Sequence, residues 1–347
     1  MSKKMFDYVC MNPPYQITKG GTKNIDIWPS FIEAAVEVAD YVSVVHPGRW
    51  LIPKKQMKKT HDMIMNSGLT SFNYYPDSAT VFNNVSIDGG VTVTNYSINH
   101  KKEDEISYYN NNEYFGIYND ETLFFSNKYE EEAYNKVFSI MEKDSNFSKY
   151  VYGNIGSLGG GEYGYNKSKH VELLKDSPND IKSPIKIWAN NGFGKGSRFD
   201  WHYIDKELLN DIPTDILKSR KIMLDKKGHS IITGKGNVIN NIPKIVEKNV
   251  IASGDVLFVI PKNDIDKELL FIKQMFMTKT IRFLMTIKQK DLYVRGFEMI
   301  PDYIDLMDKL NGKEINDNNL YELFNFSEEL KRHIEKHVSE KKGDEAI

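Results

Sequence analysis

The stretch that most constrains this chain is Phe6-Asp7-Tyr8-Val9-Cys10-Met11-Asn12-Pro13-Pro14-Tyr15-Gln16. Phe6 to Met11 is a short, mostly apolar run of strand-forming residues, and two prolines stop it abruptly. Neither proline can donate to a sheet ladder, so the strand must end at or before Asn12. Pro13 also pushes Asn12 out of the helical region, and Pro14 does the same to Pro13. The result is a stiff, extended elbow at a strand tip, which offers an amide side chain, a carbonyl oxygen and an aromatic ring.

Those groups suit one chemistry well. An exocyclic amino group on a nucleobase is a poor nucleophile, because its lone pair is delocalised into the ring. Two acceptors held around its hydrogens favour the pyramidal nitrogen that can attack a methyl donor. The Asn12 side-chain oxygen and the Pro13 backbone oxygen are suitable acceptors, and pre-organised acceptors work best where water is excluded. Tyr15 can stack on a base flipped out of a duplex, a contact worth roughly 1–3 kcal/mol.

This stretch resembles the Asn-Pro-Pro-Tyr motif of the DNA adenine-N6 methyltransferases. The preceding Phe-Asp-x-Val and the following Gln resemble the form found in restriction–modification methylases of the gamma arrangement. The resemblance implies catalytic roles for Asn12, Pro13, Pro14 and Tyr15, with Tyr15 also stacking on the base. It extends to Val81-Phe82-Asn83-Asn84-Val85, where the family typically has Val-Phe-Pro-x-Val before a glycine-containing strand. Phe82 matches the family aromatic on the other face of the flipped base; Asn83 departs from the usual proline. A lone aromatic is otherwise more often core. The closing segment, with Phe297-Glu298-Met299-Ile300-Pro301 and Leu320-Tyr321-Glu322-Leu323-Phe324, is similar to the end of the same family.

What the resemblance implies and the residues lack is the cofactor loop. Methyl transfer needs S-adenosylmethionine, and in the gamma arrangement a Phe-x-Gly-x-Gly strand and loop stands well upstream of Asn-Pro-Pro-Tyr. Only Met1 to Met5 lie upstream here, so the cofactor half is expected to be missing. Gly192-Phe193-Gly194-Lys195-Gly196 follows a strand-like run, but its phenylalanine is off by one residue and no clear helix follows directly. A sheet without its first strands would expose an apolar edge that invites pairing with another chain. The expectation is therefore the carboxyl half of a split or truncated enzyme, with a partner supplying the cofactor half. The competing expectation is a catalytically inactive, methylase-derived DNA-binding or regulatory protein of phage type. A methylase of RNA or of protein glutamine fits the large glycine- and aromatic-rich insert less well.

The rest of the chain reads as an α/β protein. Trp28-Pro29 opens an amphipathic helix, Tyr41 to Val45 is a buried strand, a helix spans about Lys54 to Asn66, and Phe72 to Tyr75 is a strand. This rhythm predicts βαβ units and a largely parallel, partial Rossmann-like sheet. Val81 to Tyr96 reads as two strand-like runs around a glycine pair, and Gln16 to Asn24 as a polar loop. Lys54, Lys55, Lys58 and Lys59 read as a solvated helix face. The lone Cys10 reads as a small buried hydrophobe. The charged His100 to Glu105 reads as a boundary. These features predict a partial catalytic domain over 1–105, a mixed α/β target-recognition domain over 106–280, a helical segment over 281–338 and a disordered tail over 339–347.

In the middle region, aromatics including Trp188, Phe199, Trp201 and Tyr203 alternate with glycines and basic residues. Lys195, Arg198, Lys227 and Lys235 are the expected contacts to double-stranded DNA. The net charge of −2, with 27% charged residues, requires any such surface to be a local patch. No histidine or cysteine spacing makes a zinc site, there is no phosphate-cradling Walker loop, and no acid pattern suggests a nuclease. The lack of a signal peptide or membrane-length apolar run predicts a cytoplasmic protein.

Overall fold

The computed structural model describes residues 4–19, 23–51, 57–83, 85, 87, 89–118, 123–153, 165, 167–190, 192, 199–209, 212, 214–225, 238–239, 241–253, 256–288 and 296–341. The chain is mixed α/β with a helical carboxyl-terminal part, and it divides into two compact units, Met1–Lys128 and Tyr129–Ile347.

In the first unit β1 (Phe6–Met11) ends at the proline elbow. The residues that follow, read as a loop in the sequence, form a hairpin of β2 (Gln16–Lys19) and β3 (Lys23–Asp26). Helix α1 (Trp28–Val38) starts with Pro29 in its first turn, where a missing N–H costs nothing, and buries Trp28, Ile32 and Ala35. It leads into β4 (Ala39–Pro47), which pairs in parallel with β1, so β1–α1–β4 is a βαβ unit. A 3-10 turn over Gly48–Leu51 follows, then α2 (Lys58–Asn66), β5 (Leu69–Tyr75), β6 (Val91–Ser97), β7 (Ile106–Asn110) and β8 (Glu113–Tyr118).

The six-stranded sheet has the order β1-β4-β6-β5-β7-β8. It is mixed rather than largely parallel: β4·β6, β5·β6 and β7·β8 are antiparallel. The reason lies in the connections. β6 is reached from β5 without a crossover helix, through a turn closed by Gly89 and Gly90, both at positive φ. The first of the two expected strand-like runs is therefore not a strand. Val81 and Phe82 donate their N–H groups to the Ser78 carbonyl, and the Ser78 hydroxyl bridges the Val85 carbonyl and the Ile87 N–H. β7 and β8 are joined by Asn111 and Asn112, both left-handed, the turn chemistry of a tight hairpin. That hairpin carries the first unit past residue 105, where the charge run suggested an end.

Aromatic rings fill the core beneath this sheet. Trp50 meets Phe72 edge-on at 5.3 Å, and Phe72 stacks on Tyr108 at 4.8 Å. The sheet's other side is different at the β1 edge. Phe6 (49% exposed) and Tyr8 (58%) stand open beside Tyr41, and among the described residues no strand pairs with the outer edge of β1. Cys10 shares that open face, so the expectation that it is buried fails because nothing among the described residues covers this face of β1.

The second unit begins with α3 (Lys128–Phe138) and contains β9 (Val151–Tyr152), α4 (Lys167–His170), β10 (Pro184–Asn190), β11 (Phe199–Asp205), α5 (Thr214–Lys218), β12 (Lys221–Asp225), β13 (Lys244–Val246), β14 (Val250–Ala252) and β15 (Val256–Val259). Its strands form a sheet of order β11-β10-β14 and another of order β13-β12-β15-β9. Ile185, Ile187, Ile251 and Phe258 sit in their shared core.

The chain then turns helical: α6 (Asp266–Met277), α7 (Lys279–Thr286), α8 (Tyr303–Leu310), α9 (Asp317–Leu323) and α10 (Glu328–His337). Arg282 of α7 is fully buried and donates to the carbonyls of Thr278, Met277 and Ser339. The segment after Ser339, expected to be disordered, thus starts as an anchored one; residues 342–347 lie outside the described residues. No helix among the described residues is long and apolar enough to cross a membrane, and no group of His, Cys, Asp and Glu among them is placed to hold a metal ion.

Candidate active site

Strands β1, β4 and β5 run in the same direction, because β4 and β5 are each antiparallel to β6 and β1 is parallel to β4. Their carboxyl ends therefore share one edge of the sheet. The proline elbow follows β1 there, the Gly48–Leu51 turn follows β4, and the Phe82 segment follows β5. Ligand crevices in open α/β sheets form outside the carboxyl ends of strands.

Close backbone packing holds this edge together. The Gly48 N–H donates to the Gly90 carbonyl at 2.9 Å. A Cβ on Gly48 would lie 2.6 Å from the Gly89 carbonyl oxygen, and one on Gly90 2.5 Å from that of Tyr75. No side chain fits at either position, and Gly90 also needs its positive φ.

Within the elbow, Asn12 is exposed and Pro13 is buried. Among the described residues the Asn12 amide has no hydrogen-bond partner. Tyr15 is half-buried against the core of the first unit, and its hydroxyl is shielded from solvent without a partner. Burial pushes the Tyr15 phenol up to about 12. The segment after the elbow is tied down in three ways. The Ile27 N–H donates to the Tyr15 carbonyl at 3.1 Å. The Gln16 amide donates to Asp26 Oδ1 at 2.9 Å, and Arg49 Nη2 donates to the same oxygen at 2.7 Å. Asp26 thus joins the residue after Tyr15 to the turn after β4.

Beneath these ties lies a neutral aromatic stack. Trp28 is fully buried and lies 4.4 Å from His46, nearly parallel to it. His46 is fully buried with Nε2 2.9 Å from Thr94 Oγ1, and burial pushes its pKa down to about 3. It is a neutral structural residue at ordinary pH. The indole N–H of Trp28 and Nε of Arg49 are, like the Tyr15 hydroxyl, buried polar groups with no hydrogen-bond partner among the described residues. Such groups are uncommon and concentrate where function overrides packing.

Phe82 is half-buried on the loop beyond β5 and makes no ring contact with Tyr15 among the described residues. The topology therefore brings Asn12, Tyr15 and Phe82 to one edge without joining them. Lys195, Arg198, Lys227 and Lys235 lie outside the described residues, as does most of the Gly192–Gly196 loop. Lys58 and Lys59 are exposed on α2, Lys58 pairing with Asp62. Sequence reasoning missed Asp26 and Arg49. The available signal was that Asp26 is the one acid between Tyr15 and Glu33.

Residues 1–82 match the family model described as Eco57I restriction-modification methylase. The matched segment contains β1, the elbow, Asp26, Arg49 and Phe82. No curated protein matches the chain. Among solved structures, it is similar to MmeI, a type IIL restriction-modification enzyme in complex with DNA, at 8% identity over 97% of this chain and 55% of that one, with a TM-score of 0.42. It is similar to the type IIG restriction endonuclease BpuSI at 11% identity over 91% of this chain and 50% of that one, TM-score 0.31. The methyltransferase subunit of a type I restriction-modification system from Streptococcus thermophilus matches at 16% identity over 32% of this chain and 27% of that one, TM-score 0.25. The chain thus spans between about a quarter and just over half the length of these proteins.

Proposed function

We propose that this chain is the part of a DNA adenine-N6 methyltransferase that presents the target amino group, and that it acts with a second polypeptide. The observation that carries the reading is the exposed Asn12 amide, without a hydrogen-bond partner among the described residues and held on a proline elbow at the carboxyl edge of the sheet. The match of residues 1–82 to a restriction-modification methylase model supports it. In this reading the Asn12 side-chain oxygen and the Pro13 carbonyl accept the two amino hydrogens of an extruded adenine, leaving the nitrogen lone pair directed outward. Pro14 keeps the elbow rigid, Asp26 fixes its exit, and Tyr15 and Phe82 enclose the base and exclude water. Tyr15 must swing its ring outward to do so, and its unpartnered hydroxyl offers little resistance.

S-adenosylmethionine is the methyl donor that this chemistry requires. The described residues do not fit it: the glycine turn after β4, the strand beside β1, is filled from within the sheet, the Gly48 N–H donating to the Gly90 carbonyl and the Tyr74 ring packing against Gly48. We infer that the partner supplies the donor site and pairs along β1, where Phe6 and Tyr8 are open. Lys195, Arg198, Lys227 and Lys235 are the proposed phosphate contacts.

Calorimetry with S-adenosylmethionine tests the split. The isolated chain should not bind it, whereas the chain mixed with a co-purifying cofactor-binding polypeptide should bind it and methylate DNA. Full methylation by the lone chain would overturn the split reading. An inactive, methylase-derived DNA-binding protein would give no methyl incorporation in any mixture.

A further inference from the structure

The second unit carries an unassigned cavity of about 450 Å³ against β10, β12 and β13. Trp188, Met223 and Ile242 give it apolar walls, Asn241, Lys244 and Lys341 add polar groups, and Asp225 is the one acid among the described residues of its lining. Trp188 is half-buried and belongs to a row of rings on one face of β10 and β11. It lies 6.3 Å from Phe199, near-parallel, and 5.2 Å from Trp201, edge-on. Lys186 Nζ stands 4.8 Å from the centre of the Trp201 ring. The opposite face of β10, with Ile185, Ile187 and Ala189, is buried in the core. Trp188 and Trp201 pack against the margin of that core yet stay half-exposed beside lysines, so part of each ring remains open to a ligand.

We propose that this cavity binds one nucleotide of a DNA strand, with its base against Trp188 and its phosphates on Lys244 and Lys341. The size fits: small-molecule sites run from about 300 to 1,000 Å³, with apolar walls and a few polar groups. The chemistry fits too. An indole is a broad stacking surface for any base, lysines take backbone phosphates, and the Asn241 amide can meet a base edge. The proposal deepens the DNA-binding part of the proposed function, but its test does not use methylation.

Tryptophan fluorescence of the full chain reads it directly, because Trp28 and Trp50 are fully buried while Trp188 and Trp201 are half-buried. Titration with a short duplex, and with one of its strands, should quench the emission. Trp188→Leu should weaken the tighter of the two complexes by about tenfold, the loss of one base–aromatic stack. Lys244→Gln with Lys341→Gln, on partly exposed side chains that leave the core intact, should flatten the dependence of log affinity on log salt by about two. Unchanged affinity in Trp188→Leu and an unchanged salt slope in the double variant would overturn the proposal. So would equal quenching by dAMP alone with no gain from a strand, which would assign the cavity to a free nucleotide. The titration reads binding at this cavity and no methyl transfer, so failure here leaves the methyl-transfer reading standing.

Discussion

The elbow corner of the first unit and the helical end of the second handle buried polar groups in opposite ways. At the elbow, the Tyr15 hydroxyl, the Trp28 indole N–H and Arg49 Nε are buried without partners. From α6 onward, no buried side-chain polar atom among the described residues is left so. There Arg282 is matched by carbonyls from Thr278, Met277 and Ser339. The Tyr303 hydroxyl donates to Glu268 and accepts from the Lys262 N–H. Asp317 receives the backbone N–H groups of Lys279 and Thr280 at the start of α7. An unsatisfied buried group costs about 1–3 kcal/mol. The helical end avoids that cost and the elbow corner carries it, as do single groups elsewhere such as Tyr96, Tyr165 and Ser253.

Substitutions can break or sharpen this contrast. The largest effect is expected for Arg282→Met, which strands the Met277 and Ser339 carbonyls, removes one of two donors from that of Thr278, and should lower stability by roughly 3–5 kcal/mol, read as a shift in the urea midpoint. A loss below about 1 kcal/mol would deny the clamp. Next comes acid. Burial holds the folded-state pKa of His46 at about 3, below its ordinary 6.5. Its folded pKa is depressed, so the unfolded chain binds the proton more readily between these values. The associated stability is whole above about pH 6.5 and is lost, by a few kcal/mol, as pH falls toward 3. His46→Gln should flatten that part of the pH–stability curve.

A matched pair of smaller changes compares the two regions directly. Tyr303→Phe leaves Glu268 and the Lys262 N–H short of a partner and should cost about 1.5–3 kcal/mol. Tyr15→Phe removes a hydroxyl that has no partner, so its stability should stay within about 0.5 kcal/mol of wild type or rise. Equal costs for the two would erase the contrast. A small stability effect is also expected for Asp26→Asn. Its partly exposed bridge to Arg49 is worth less than about 1 kcal/mol, yet the change should reduce methyl incorporation by the active mixture because the elbow's exit loosens.

The sequence was most readable where one residue dictates its own backbone. Pro13 and Pro14 end β1, and Pro29 starts α1, within a residue or two of the expected positions. It was least readable where a partner distant in sequence decides. Cys10 is exposed because nothing among the described residues packs on the face it shares with Phe6 and Tyr8, a property of layer packing rather than of the strand's own residues. The run around Phe82 has strand-like composition, but the Ser78 hydroxyl captures its backbone first. Asp26 and Arg49 stand 23 residues apart, and nothing local announces their bridge. The shape of the elbow was thus legible, while the residues that hold its exit emerged only from the fold.

Incorporation of labelled methyl groups into adenine N6 of unmethylated DNA tests the central claim most directly, comparing wild type with Asn12→Ala in the presence of S-adenosylmethionine and the cofactor-binding partner. We expect Asn12→Ala to lose at least about a hundredfold in methyl transfer, the scale of removing a pre-organised acceptor or donor at a reacting centre, while binding DNA with unchanged affinity. Equal incorporation by the two proteins would contradict the account.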